Sequence, residues 1–147
     1  AIGIFEATIE KVVALAILMP IVASMGGIAG MQSLALVIRS QALDQIGSSN
    51  SRLLIIKESS IGILNGILWS TVVALAVYLW FDSFFLGTVI ASALMINLII
   101  GAVSGVSLPL ILSKLNIDPA LAGGVILTTI TDIVGFISLL GIATLIM

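Results

Sequence analysis

The segment Ala120–Met147, ALAGGVILTTITDIVGFISLLGIATLIM, carries a single ionisable residue, Asp132, near its middle. It is longer than the roughly 20 apolar residues that span hydrocarbon, so it reads as a transmembrane helix. A carboxylate at the centre of such a helix costs about 2.5–3.5 kcal/mol on insertion scales. Asp132 is therefore expected to face water, a cation or a partner rather than lipid. Gly124, Thr128, Asp132 and Gly135 recur at i, i+4, i+8 and i+11, which is one helical face. That face offers a carboxylate, a hydroxyl and backbone left uncovered by glycine, the all-oxygen lining that suits hard cations such as Mg²⁺. Mg²⁺ keeps its waters tightly, so one or two carboxylates touching a hydrated ion suffice. One Asp per chain is few, and a two-fold dimer completes the site by bringing two to its axis.

The rest of the chain has the same character. It is 61% hydrophobic and only 8% charged, with a mean hydropathy of +1.38, where soluble domains carry about 25% charged residues. The fold class is therefore all-α: a polytopic helical bundle in a lipid bilayer, because open sheets leave backbone groups unpaired there. Four long transmembrane helices are expected at about 12–38, 53–80, 84–112 and 120–147, forming a single transmembrane domain over 1–147. Between them lie a polar loop from Ser40 to Lys57, a tight turn at Phe81-Asp82-Ser83, and a short break from Ser113 to Asp118. Asp118-Pro119 supplies an N-cap followed by proline at the first helical position.

Arg39, Arg52, Lys57 and Lys114 all fall on one side of this arrangement, which makes that side cytoplasmic. Lys11, Glu6, Glu10 and Asp82 fall on the other side, with both termini. The chain opens with Ala and has no basic stretch ahead of an apolar one, so no signal peptide is read. It is expected to be a piece of a longer protein with a further helix upstream.

In the first helix, Pro20 is followed by Gly26, Gly27 and Gly30, which should kink or locally open the helix and free carbonyls. Such carbonyls are tolerated only against protein or a wet cavity, so this helix is expected to line something. Glu6 and Glu10, four apart at its outer end, suit either a mouth that attracts cations or a solvated helix end. Gly26 and Gly30, Gly62 and Gly66, and Gly101 and Gly105 are pairs spaced for close helix contact. Asn65 and Asn97 read as interhelical hydrogen-bonding residues. A net charge of -2 argues against nucleic acid as a partner. No enzyme is expected: without His or Cys, no nucleophile–base pair can be assembled.

Taken in order, these residues resemble the transmembrane domain of MgtE-type magnesium channels over nearly the whole chain. The matching pieces are Phe5-Glu6 with Glu10; Pro20 with Gly26-Gly27, Gly30 and Gln32; Arg39; and Lys57-Glu58 with Gly62 and Gly66. They continue with Asn97-Leu98 and Gly101, Leu108-Pro109, Asp118-Pro119-Ala120, and Thr131-Asp132 with Gly135. The resemblance implies five spans, of which this chain is the last four, and a homodimer whose pore runs between subunits along the first and fourth helices here. It implies a multi-pass protein of the plasma membrane, the inner membrane in a prokaryote, that transports Mg²⁺ or another divalent metal ion. Asp132 is the implied holder of the hydrated ion, with the backbone at Thr128 joining it, Glu10 as an acidic pore residue and Asp118 as a cytoplasmic contact. Gly26, Gly27, Gly124 and Gly135 are expected to line the pore. The resemblance also implies an N-terminal regulatory region, expected to lie outside this chain. The family usually reads Gly-Gly-Asn-x-Gly-Asn-Gln where this sequence has Ile28 and Met31 in place of the asparagines.

Two other readings stay open on sequence grounds. One is a proton-coupled small-molecule exporter with Asp132 as proton carrier; the other is a membrane assembly subunit that transports nothing.

Overall fold

The computed structural model describes residues 2–43 and 51–147. A 3₁₀ turn at Ile2–Phe5 leads into a short helix α1 (Glu6–Lys11). Four long helices follow: α2 (Ala14–Ala42), α3 (Ser51–Phe81), α4 (Phe84–Lys114) and α5 (Pro119–Ile146). All four are long and apolar enough to cross a membrane. The central part of the expected polar loop, 44–50, lies outside the described residues. Its two flanks are helical rather than looped, since α2 runs to Ala42 and α3 starts at Ser51. Charged residues such as Arg39 and Arg52 are readily held at the ends of helices, so their polarity does not mark a break.

Two expectations about the first helix need correction. Glu6 and Glu10 do not sit on it: they belong to the separate six-residue α1, which Val12 and Val13 divide from α2. Of the two outcomes expected from Pro20 and the glycines, a kink or a local opening, the opening does not occur: α2 stays helical throughout. Pro20 removes one N–H, but a single freed carbonyl is tolerable in a span whose other hydrogen bonds persist.

The turns follow local chemistry. Asp82 takes a left-handed conformation (φ 47°), which short polar side chains tolerate. Ser83 then caps α4 by accepting a hydrogen bond from the Leu86 N–H at 3.2 Å. At the other end of α4, Asn116 is also left-handed (φ 57°). Asp118 then caps α5, its carboxylate accepting from the Ala120 N–H at 3.0 Å, with Pro119 at the start of the helix.

Helix α4 is the centre of the bundle. It packs against α2, α3 and α5 and buries residues along its whole length, from Leu86 to Leu112. At the end of the bundle near Phe81 and Ser83 the contact is aliphatic, with Leu15, Leu18, Ile90, Leu94, Leu139 and Leu140 in one cluster. Toward the other end it is made by glycine. A Cβ on Gly101 would stand 2.5 Å from the Gly26 carbonyl oxygen, and one on Gly105 would collide with the Gly30 carbonyl. The two glycine pairs therefore interlock α2 and α4 backbone to backbone. Gly62 of α3 meets α4 in the same way, with a Cβ there 2.9 Å from the Cβ of Ala102. At the Arg39–Lys114 end, Gln41 donates from Nε2 to Ser113 Oγ at 3.1 Å and to the Pro109 carbonyl at 3.3 Å. Large apolar side chains such as Leu64, Leu79, Trp80 and Leu121 point outward, as a lipid-facing surface requires.

Because rigid backbone opposes it, Gly101→Ala is expected to destabilise the bundle by about 1–3 kcal/mol, the usual scale for overpacking. Gly141→Ala, whose Cβ would meet only Phe5 Cζ at 3.8 Å, is expected to cost nothing and to stabilise by up to about 1 kcal/mol through helix propensity. Denaturant titration of the purified protein in detergent measures both.

Candidate functional site

Asp132 projects from the middle of α5 and is exposed. It opens onto a groove of about 590 Å³ between α5 and α2, lined by Thr128 and Asp132 on one side and Ala23, Ser24, Gly27, Ile28, Met31, Gln32 and Ala35 on the other. The hydroxyls nearest Asp132 on its own helix do not hold it. Thr128 donates to the Gly124 and Val125 carbonyls, Thr129 to the Val125 carbonyl, and Thr131 to the Leu127 and Thr128 carbonyls. The carboxylate thus faces the groove, with no hydrogen-bond partner among the described residues. Among the described residues no group of three Asp or Glu side chains comes together, so a single chain offers no closed carboxylate cage.

The structure separates the other site residues read from the sequence. Thr128 shares the groove with Asp132. Asp118 is exposed at the N-terminus of α5, where one oxygen serves as cap; the intervening helix puts it roughly 21 Å from Asp132. Glu10 is exposed on α1, which packs against α5 at the end where Thr8 and Thr144 share a 2.6 Å hydrogen bond. The three acids are therefore spread along α5, one near each end and one in the middle.

The four glycines divide. Gly27 lines the groove, and Gly124 faces it beside Met31, with a Cβ there 3.6 Å from the Met31 Cε. Gly26 and Gly135 do not line it. Both are buried against Asn97 of α4. The periodicity that joins Gly135 to Asp132 fits a stripe wide enough to straddle two surfaces: Asp132 falls on its groove edge and Gly135 on its packed edge.

Glu58 is a buried group that sequence reasoning misses, since its neighbours Arg52 and Lys57 make it look like part of a solvated helix end. It is 4% exposed, and its Oε2 accepts a 2.8 Å hydrogen bond from the buried Ser33 hydroxyl. That bond ties α3 to α2. The available signal is the spacing of Glu58, Gly62 and Asn65, which places them on one face of α3.

Four apolar spans, two of them flanking a groove with an exposed carboxylate at its edge, define a multi-pass helical membrane protein. Comparison with known families identifies it further: residues 19–142 match the MgtE family, described as a divalent cation transporter, and the chain belongs to that family. It is 41% identical over 97% of its length to the magnesium transporter MgtE of Bacillus subtilis. To those of Thermus thermophilus and Enterococcus faecalis it is 32% and 29% identical over the same share. The chain spans about a third of the length of these relatives, 32% in each case.

The chain has no cysteine, so single cysteines report their own surroundings. Thr128→Cys is expected to react with a charged, membrane-impermeant thiol reagent in intact membranes, whereas Leu127→Cys, at a fully buried position, is expected to stay unmodified. Labelling of Thr128→Cys by lipophilic reagents alone would mean that the groove holds lipid instead of water.

Proposed function

We propose that this chain is the membrane-spanning part of a divalent-cation transporter, that Mg²⁺ is its principal ion, and that the ion passes through a pore formed where two copies meet. The observation that carries the proposal is the position of Asp132: an exposed carboxylate, free of the surrounding hydroxyls, on an open groove at mid-membrane. Left against lipid, that charge is costly. Covered by a second copy, the same groove becomes an aqueous seam in which two carboxylates face each other and a cation compensates both.

Hydrated Mg²⁺ suits such a seam. The ion sheds water reluctantly and holds its inner ligands at roughly 2.0–2.1 Å in a near-octahedron. Asp132 from each copy then accepts hydrogen bonds from the ion's water shell, with no need for further protein ligands. The Thr128 carbonyl lies one turn away, where it accepts the helix bond from the Asp132 N–H and a bond from the Thr131 hydroxyl; it joins the ion's water shell when that hydroxyl gives way. Glu10 and Asp118, exposed near opposite ends of α5, raise the local cation concentration at the two mouths. Ile28 and Met31 give the facing wall an apolar character, so the ion is held there by the acids and by backbone. The names of the three MgtE relatives, all magnesium transporters, support the same ion.

Asp132→Ala is expected to lower Mg²⁺ uptake at least about tenfold, the scale of a lost charged contact, while membrane abundance is unchanged. Asp132→Asn should lose a similar amount, because the charge and not the shape is needed. The check is Mg²⁺ entry into cells that depend on this protein for growth in low magnesium, with abundance read by immunoblot. Normal uptake by Asp132→Ala overturns the proposal and favours an assembly role. Retained cation uptake in Asp132→Asn combined with loss of proton-driven efflux favours an exporter.

A further inference from the structure

Directly behind the groove, on α4, Asn97 is completely buried. Its Nδ2 donates to the Val22 carbonyl of α2 at 2.7 Å, while Oδ1 has no hydrogen-bond partner among the described residues. An amide with one buried oxygen unpaired is a costly way to fill space, since each such group loses about 1–3 kcal/mol of hydration. What the amide does occupy is the gap between two glycines. A Cβ on Gly26 of α2 would fall on it, 2.5 Å from Cγ, and a Cβ on Gly135 of α5 would stand 2.9 Å from Nδ2 and 3.4 Å from the Ala23 Cα. Gly26 adjoins Gly27, which lines the groove, and Gly135 follows Asp132 by just under one turn. The amide is therefore wedged beside the Ala23–Gly135 contact of the two groove helices, at the level of the acid.

Resting on the transport reading above, we infer that Asn97 is a positioning residue: it touches no ion, but its depth between Gly26 and Gly135 sets how far α2 stands from α5 at Asp132, and so how well the seam discriminates among divalent cations. The direction follows from hydration. A seam wide enough for the whole water shell admits Mg²⁺ without dehydration. A narrower one demands loss of water, which Mg²⁺ resists and Ca²⁺, with its flexible shell of roughly 6–8 ligands at 2.3–2.6 Å, concedes more easily. Truncating Asn97 removes the support behind Gly26, so α2 swings toward α5 beyond their Ala23–Gly135 contact and narrows the groove, and the penalty falls on Mg²⁺ first.

The test uses the full-length protein in proteoliposomes, with Mg²⁺ and Ca²⁺ entry measured separately for the parent, Asp132→Ala, Asn97→Ala and the double variant Asn97→Ala with Gly26→Ala. Asn97→Ala is expected to lower the Mg²⁺-to-Ca²⁺ entry ratio about fivefold, the scale of coupling carried by residues that contact no ligand. The Gly26→Ala change places a methyl group where the amide had been, and is expected to bring the ratio back toward the parent value. Equal loss of both ions in Asn97→Ala overturns the inference and leaves Asn97 a packing residue. Should Asn97→Ala fail to reach the membrane, Asn97→Ser gives the same reading, with an unchanged ratio again counting against it. The Asp132→Ala arm keeps the two ideas apart: normal entry there defeats the transport reading, whereas loss there with an unchanged ratio in the Asn97 variants defeats only the positioning role.

Discussion

The backbones of α2 and α4 touch at Gly26, Gly30, Gly101 and Gly105, and the rest of the molecule is arranged around that contact. No side chain intervenes, so the approach is fixed by carbonyl oxygens and Cα atoms and cannot be adjusted by changing rotamers. In lipid, where apolar surface gains little by leaving its surroundings, van der Waals packing of this kind is a main source of helix association. It holds α2 deep against the central helix, and α5 is seated beside it by Leu127, Leu139 and Leu140. With their inner faces committed to α4, the two helices turn their outer edges toward each other across an open groove. The acid lies on that edge.

A division of labour along the bundle follows. One end is a mainly aliphatic core, bordered by the Thr8–Thr144 hydrogen bond. The glycine-rich part carries two buried polar links between long helices: Asn97 bonded to the Val22 carbonyl, and Ser33 bonded to Glu58. Each of these bonds joins a different pair of helices, α4 to α2 and α2 to α3, so α2 is tied twice. Hydrogen bonds between membrane helices are individually modest, averaging about 0.6 kcal/mol in measured cases. Their value here is in fixing which faces meet. Asp132 stands apart from them, with its neighbouring hydroxyls turned onto the helix backbone. It is the exposed acid near the middle of α5, and the exposure is what makes a charged function there physically reasonable.

Much of this is legible in the sequence. Four apolar runs give four spans because length and hydropathy alone decide membrane crossing, and the spacing of Gly26 with Gly30 and of Gly101 with Gly105 marks surfaces that come into contact. Asp132 stands out as the lone charge in its helix. Other features are not legible, for identifiable reasons. Pro20 suggests a break in α2, yet a helix surrounded by lipid or protein has few competing hydrogen-bond partners and stays formed. The division between α1 and α2 falls at Val12 and Val13, where nothing in composition marks it. Helical periodicity gives an angle around one axis and so assigns Gly135 to the groove, while the burial of Gly26 and Gly135 depends on where Asn97 enters from another helix. Glu58 looks like a solvent charge because its burial depends on Ser33, far away in the chain on α2.

Two grooves that close on one hydrated cation must share it between two chains. The most direct measurement is the stoichiometry of Mn²⁺, a paramagnetic stand-in for Mg²⁺, bound to the purified protein and counted by electron paramagnetic resonance. One tightly held ion for every two chains is expected, its spectrum that of a metal surrounded mainly by water. One ion per chain, or an ion coordinated directly by several protein oxygens, would contradict it.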